Sequence, residues 1–295
     1  MPGISGPSPI VSVKPVSLTA PGRGQDLHVR VTAPLVGVGL PVLVFSHGFG
    51  KSLDAYAPLV DHWAAQGFVV LQPTHLDSRT LAVPAEDPRT PLIWRLRIDD
   101  VVRVLDSLDV LEAAVPGLGG RVDRGRIAVA GHSWGAQTVG TLLGARALGE
   151  DFSDGRVRAG VLLAAAGLGD ELTPYAAEHL PFMRPTFETM TTPALVVAGD
   201  RDQSQLSTRG PDWFTDAYVH GAGRKSLLTL FGAEHSLGGI TGYEVAETTD
   251  ENPAQVALIR RVSTAFLRDA LEIEGGEWAD VSKEELGGLG ELESK

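Results

Sequence analysis

Short apolar runs alternate with helical patterns along most of the chain. Continuous Val- and Leu-rich runs at residues 27–31, 42–46, 68–71, 127–130, 160–164, 194–198 and 227–231 predict strands. Their lack of polar alternation fits strands covered on both faces of a parallel sheet. Between them, Ile98, Val101, Val102, Leu105, Leu108 and Leu111 recur at helical spacing and predict one helix with a single apolar stripe. Asn252-Pro253 reads as an N-cap followed by a first-turn proline. Val256, Ile259, Val262, Phe266 and Leu267 then form the inward face of a helix ending near Leu271. Strand–helix alternation of this kind predicts an α/β protein with helices on both faces of its sheet. Long connections at 74–91 and 167–193 are expected to border the ligand crevice at the carboxyl ends of the strands.

Composition narrows the possibilities. The chain has 295 residues, 43% hydrophobic and 21% charged, enough for one sizeable α/β domain. We divide it into an N-terminal extension (1–24), a single domain (25–272) and an acidic tail (273–295). The first ten residues, rich in Gly, Pro and Ser, are expected to lack regular structure. No cysteine is present, which excludes disulfides, thiolate metal sites and a cysteine nucleophile. A net charge of −12 argues against a nucleic-acid partner, which needs a basic footprint. Seven acids and two lysines after position 273 predict a solvated tail. No apolar run approaches the roughly 18 residues of a membrane span. The N-terminus lacks a charged and apolar secretory leader, so with Met1 as the native start a cytoplasmic protein is expected, or a secreted one if a signal peptide was removed. The surface pattern assigns no oligomeric state.

The sharpest motif is Gly131-His132-Ser133-Trp134-Gly135, directly after the predicted strand 127–130 and before a helical run. A serine on a tight strand-to-helix turn projects its hydroxyl beyond the sheet edge, and small residues two before and two after let strand and helix approach. The following helix N-terminus favours developing negative charge. A second backbone donor is expected from the loop after a neighbouring strand. His47-Gly48-Phe49-Gly50 follows the strand at 42–46, so the oxyanion hole is assigned to the N–H groups of Phe49 and Trp134. Gly199-Asp200-Arg201-Asp202 and Gly232-Ala233-Glu234-His235 each follow a strand. The resulting order, Ser133, Asp, His235, suits a nucleophile, its orienting acid and its base. Asp200 and Asp202 compete for the acid role. Asp202 is favoured because it lies further past the strand end, with Asp200 bracing the turn.

Gly48 and His75 are candidate substrate-binding residues, the latter in Gln72-Pro73-Thr74-His75 after another strand. The remaining histidines, His28, His62, His132, His179 and His220, are read as structural or surface groups. Trp94, Arg95 and Arg97 are either a substrate wall or the packed start of a helix. No His-Glu-x-x-His pattern is present, and no strand leads into the glycines at 117, 119 and 120, so neither a metal nor a dinucleotide cofactor is expected.

These residues resemble the α/β-hydrolase superfamily over roughly 25–272. The segments Phe45-Ser46-His47-Gly48-Phe49-Gly50, Gln72-Pro73-Thr74-His75 and Gly131-His132-Ser133-Trp134-Gly135 look like one branch of it. That branch holds chlorophyllase-like and dienelactone-hydrolase-like proteins, platelet-activating-factor acetylhydrolases and cutinase-type polyester hydrolases. The resemblance implies a mostly parallel eight-stranded sheet, no cofactor, and hydrolysis of carboxylic esters. The 27 residues of 167–193 suffice for a helix and a flap but no large cap domain, so an accessible cleft for small or polymeric esters is expected. Ser133 departs from true dienelactone hydrolases, which use cysteine, and from epoxide hydrolases, which use aspartate there. The expected activity is that of a serine carboxylesterase. The same machinery could serve a thioesterase, lipase, polyester hydrolase or acyltransferase, and a non-catalytic receptor on the same fold is the alternative from another class.

Overall fold

In the computed structural model, residues 7–242, 249–275 and 277–295 are described; the expectations for residues 1–6 lie outside them. The strands are β1 (Ile10–Leu18), β2 (Leu27–Pro34), β3 (Leu40–Ser46), β4 (Val69–Pro73), β5 (Val122–His132), β6 (Arg146–Ala147), β7 (Val157–Leu163), β8 (Pro185–Thr186), β9 (Ala194–Gly199), β10 (Lys225–Leu230) and β11 (Gly290–Ser294). The helices are α1 (Ala57–Ala65), α2 (Ile93–Asp106), α3 (Leu108–Ala113), α4 (Trp134–Leu142), α5 (Pro174–His179), α6 (Asp216–His220), α7 (Pro253–Ala270) and α8 (Trp278–Val281).

One nine-stranded sheet runs in the order β1-β2-β4-β3-β5-β7-β9-β10-β11. Its centre, from β4 to β10, is parallel, and β1, β2 and β11 pair antiparallel. Every residue of β3 and β9 is buried, as the unbroken apolar runs require.

The sheet has nine strands where eight were expected. The acidic tail supplies β11, with Leu227 opposite Glu293 and Leu228 opposite Leu292. Composition misled here because an edge strand needs only one covered face. Leu292 packs against the core while Glu291 and Glu293 face water, and outward charge on an edge also discourages further pairing. Near the other end, β1 lies within the stretch read as an extension, and its alternating pattern of exposure marks a half-covered strand. The stripe from Ile98 to Leu111 is divided between α2 and α3, with a break at Ser107 (φ −109°, ψ 20°).

The core forms on both faces of the sheet. Phe45 of β3 lies 4.7 Å from the Tyr56 ring and 5.9 Å from Trp63, centroid to centroid. The Trp63 indole N–H donates to Ser263 Oγ at 3.0 Å, which fastens α1 to α7. Asn252 caps α7, its side chain accepting from the N–H groups of Ala254 and Gln255.

Pairing between β3 and β5 sets Phe45 opposite Ala130 and Ser46 opposite Gly131. The two strands therefore end level, and residues 47–50 emerge beside residue 133. Asp202 and His235 follow β9 and β10, further along the same edge.

Phe266 of α7 is fully buried and meets Trp278 of α8 edge-on at 5.3 Å. Phe266→Ala is expected to cost about 3–5 kcal/mol, read as a lower urea midpoint with an unchanged m-value. An unchanged midpoint would mean that α8 is not packed on α7.

Candidate active site

Ser133 has φ 55° and ψ −123°, a region that non-glycine residues rarely occupy. Such a residue costs on the order of 1–3 kcal/mol and persists only where its surroundings hold it. The Ser133 N–H donates to Leu163 O of β7 at 2.9 Å, and its carbonyl accepts from Gln137 N–H at 3.1 Å, the first bond of α4. Glycine is needed on either side. A Cβ at Gly131 would stand 2.4 Å from the Gly135 carbonyl, and one at Gly135 would stand 2.0 Å from the Ser46 carbonyl oxygen. The second contact presses α4 against the end of β3.

The turn aims the Ser133 hydroxyl at His235, with Oγ 2.9 Å from Nε2. On the far side of the ring, Nδ1 is 2.9 Å from Asp202 Oδ2 and 3.1 Å from Oδ1. A carboxylate only accepts, so Nδ1 carries the proton and Nε2 is left to accept from the serine. Asp202 is wholly buried, whereas the His235 side chain is 44% exposed. The imidazole is thus held from a dry side and open to solvent on the other. Asp200 goes elsewhere, accepting from Gly232 N–H at 2.6 Å and closing the turn before His235.

Among the described residues, the N–H groups of Phe49 and Trp134 have no hydrogen-bond acceptor. The two rings lie 5.8 Å apart, and Phe49 is 62% exposed. Trp134 stacks on Phe182 at 5.4 Å, which stacks in turn on Trp94 at 6.0 Å. The 167–193 connection therefore reaches the site through Phe182, whose carbonyl accepts from the Gln137 side chain at 2.6 Å.

Both candidate substrate-binding residues are buried. Gly48 is buried, with its N–H donating to the Tyr56 hydroxyl at 3.0 Å and its carbonyl accepting from His47 Nδ1 and Lys51 N–H. His75 is 0% exposed beneath the loop. Its Nδ1–H donates to Asp100 at 3.0 Å, its Nε2 accepts from the Ser46 hydroxyl at 2.9 Å, and its backbone N–H donates to His47 Nε2 at 2.9 Å. Packing turned both inward, where their polar groups are consumed.

Tyr56 and Phe182 were not singled out from the sequence, and Arg97 only together with Trp94 and Arg95 as a substrate wall or the packed start of a helix. Tyr56 and His132 form a relay. Gly48 N–H donates to the Tyr56 hydroxyl, which donates to His132 Nδ1 at 2.9 Å, and His132 Nε2–H donates to the His235 carbonyl at 2.8 Å. The loop at 47–50 and the backbone of the candidate base are thereby joined. The relay works only with neutral His132, and burial, the largest cause, lowers its pKa to about 3. Burial, with Arg97 nearby, likewise lowers His47 to about 4.

Among the described residues, no group of three or more His, Cys, Asp or Glu is placed to hold a metal ion, and no helix is long and apolar enough to cross a membrane.

Residues 29–89 match the family model for platelet-activating factor acetylhydrolase, isoform II. This stretch includes Ser46 to Gly50, His75 and Asp77, and stops short of Ser133. A platelet-activating factor acetylhydrolase of Cavia porcellus is 27% identical over 138 residues, 35% of this chain and 31% of that protein. The match thus spans about a third of that relative's length. The solved structure of a ferulic acid esterase from Streptomyces cinnamoneus superposes with a TM-score of 0.66 at 19% identity, covering 100% of this chain and 98% of that one. The chain has the α/β-hydrolase fold.

The buried histidines make stability depend on pH. Each has a folded pKa below the unfolded value of 6.5, so the unfolded chain binds protons first as pH falls. Their contribution is complete above 6.5 and is lost as pH drops through about 4 and then about 3. The melting temperature should hold steady near neutrality and fall on acidification across that window. His132→Gln, with one fewer proton to take up, should fall less steeply than wild type. Equal slopes would contradict a neutral buried His132.

Proposed function

We propose that this protein is a serine hydrolase that cleaves carboxylic esters through an acyl-enzyme. The observation that carries this reading is the unbroken 2.9 Å chain from Ser133 Oγ through His235 to Asp202, built on a strained turn. Strain of this kind at a solvent-facing serine is stored where geometry serves chemistry. The partial matches to acetylhydrolases and the fold shared with an esterase agree with it.

In this mechanism Ser133 Oγ attacks the ester carbonyl carbon while its proton passes to His235 Nε2. Asp202 holds the imidazole in the Nδ1–H tautomer and stabilises the imidazolium. The carbonyl oxygen, now an anion, is received by the N–H groups of Phe49 and Trp134, the latter at the start of α4, where the helix dipole favours negative charge. His235 gives its proton to the departing alcohol oxygen, and the carbonyl reforms as an acyl-serine. Water enters from the exposed side of His235, loses its proton to Nε2 and attacks the acyl carbon. Ser133 leaves with the proton, and the carboxylic acid is released.

That open approach favours water as acyl acceptor, and so hydrolysis over transfer. Phe49, exposed beside Trp134, offers an apolar face to acyl or alcohol groups. Thioesters and polymeric esters present the same carbonyl and are substrates the site can accept.

Ser133→Ala and His235→Ala should each lower kcat on p-nitrophenyl esters by about 10⁴-fold or more. Asp202→Asn should cost about 10⁴-fold by imposing the wrong tautomer, while Asp200→Asn, acting only on the turn, should stay within a few-fold. A chain-length series from acetate to palmitate sizes the acyl site. Wild-type turnover in Ser133→Ala would refute the acyl-enzyme, and equal losses at 200 and 202 would refute the choice of acid.

A further inference from the structure

Arg97 has no part in the chemistry above, yet it is fully buried against both segments that carry the candidate oxyanion donors. Its Nη1 donates to Asp77 Oδ1 at 2.7 Å. Asp77, through Oδ2, accepts the Gly50 N–H at 3.0 Å and so closes the loop that bears Phe49. Nη2 donates to the His47 carbonyl in that loop and to Ser46 Oγ at 3.3 Å. On the other side, Nε donates to Thr138 Oγ1 at 3.1 Å in α4, and the guanidinium lies 4.9 Å from the centre of the Trp134 ring. Thr138 Oγ1 in turn donates to the Trp134 carbonyl at 2.8 Å.

We infer that Arg97 is the positioning residue of the oxyanion hole: one planar guanidinium fixes the loop of Phe49 and the first turn of Trp134 relative to each other. This rests on the esterase reading. The geometry is specific to arginine. Five donors in a rigid fork can satisfy Asp77, the His47 carbonyl and Thr138 together while stacking on an indole; a lysine ammonium cannot. Such a brace contributes to catalysis because donors must already stand where charge develops, and an oxyanion hole that relaxes stabilises the ground state and the transition state alike.

A purely structural arginine would lower stability and leave chemistry intact in the folded enzyme. A brace would instead lower kcat and weaken binding of a tetrahedral adduct in parallel. The test uses Arg97→Lys, with Asp77→Asn and Thr138→Val as milder variants that keep the shape of the site, all assayed well below their melting temperatures. Two assays are run on each: kcat and KM on p-nitrophenyl butyrate, and inhibition by an alkyl trifluoromethyl ketone. Ser133 Oγ adds to that ketone carbon, its proton passes to His235, and the ketone oxygen becomes an anion in the hole.

Arg97→Lys should lower kcat about 10- to 100-fold, leave KM within about twofold, and weaken ketone inhibition by the same factor as kcat/KM. The shape of the pH–rate profile should not change. Asp77→Asn and Thr138→Val should show smaller losses in kcat and in ketone inhibition. If Arg97→Lys does not fold, those two variants decide. Variants with lower melting temperature but wild-type kcat and ketone inhibition would overturn the inference and leave the hydrolase reading standing. A wild-type enzyme without Ser133-dependent hydrolysis would overturn both.

Discussion

At the carboxyl edge of the sheet, the Cα of Gly135 lies so near the carbonyl of Ser46 that a Cβ there would stand 2.0 Å from the oxygen. That approach brings α4 against the end of β3, and the rest of the site is arranged around it. It sets the first amide of the helix beside the loop at 47–50, and it confines the preceding residue to a backbone conformation that a free chain would avoid. Bonds to β7 and into α4 hold Ser133 there. A serine so held has little freedom to turn away from His235, so packing fixes its alignment during folding.

Behind this edge lies a polar layer unusual for a core. Arg23, Arg97, Asp77 and Asp100 are each no more than 2% exposed. Arg23 donates to Asp100 at 2.7 Å and to the Thr74 carbonyl at 2.7 Å, and Asp100 receives His75. Buried ion pairs of this sort seldom add net stability, because desolvation offsets most of the attraction. What they impose is one arrangement, since each remaining partner would be left charged in a dry site if another shifted. The loop at 47–50 is irregular backbone, and the connection at 74–91 has only short 3-10 turns at Arg79–Leu81 and Thr90–Leu92. Directional bonds to arginine and histidine fix them in a way that apolar contacts do not.

Ser133, Asp202 and His235 were legible in the sequence because each stands a short, fixed distance after a recognisable apolar strand. The α/β alternation was legible for the same reason. Gly48 and His75 were misplaced because proximity to a motif does not tell which way a side chain or carbonyl turns. That depends on Tyr56, eight residues after Gly48, and on Asp100, twenty-five residues after His75. Arg97 did leave a trace: with Ile93, Val101 and Val104 it lies on the inward face of α2, where a cation is out of place. A charge on a core stripe is the signal of a buried partner, but only the fold names Asp77 as that partner. The tail was read from its charge alone, which hid Leu292 and the strand it anchors.

The most direct test of this account is an acid-quenched pre-steady-state reaction with p-nitrophenyl acetate, followed by peptide mapping of the trapped protein. A burst of p-nitrophenol and a single acetyl group on Ser133 are expected, with both absent in His235→Ala. Steady turnover with no acetylated Ser133 at any quench time, or an acetyl group on another residue, would contradict it.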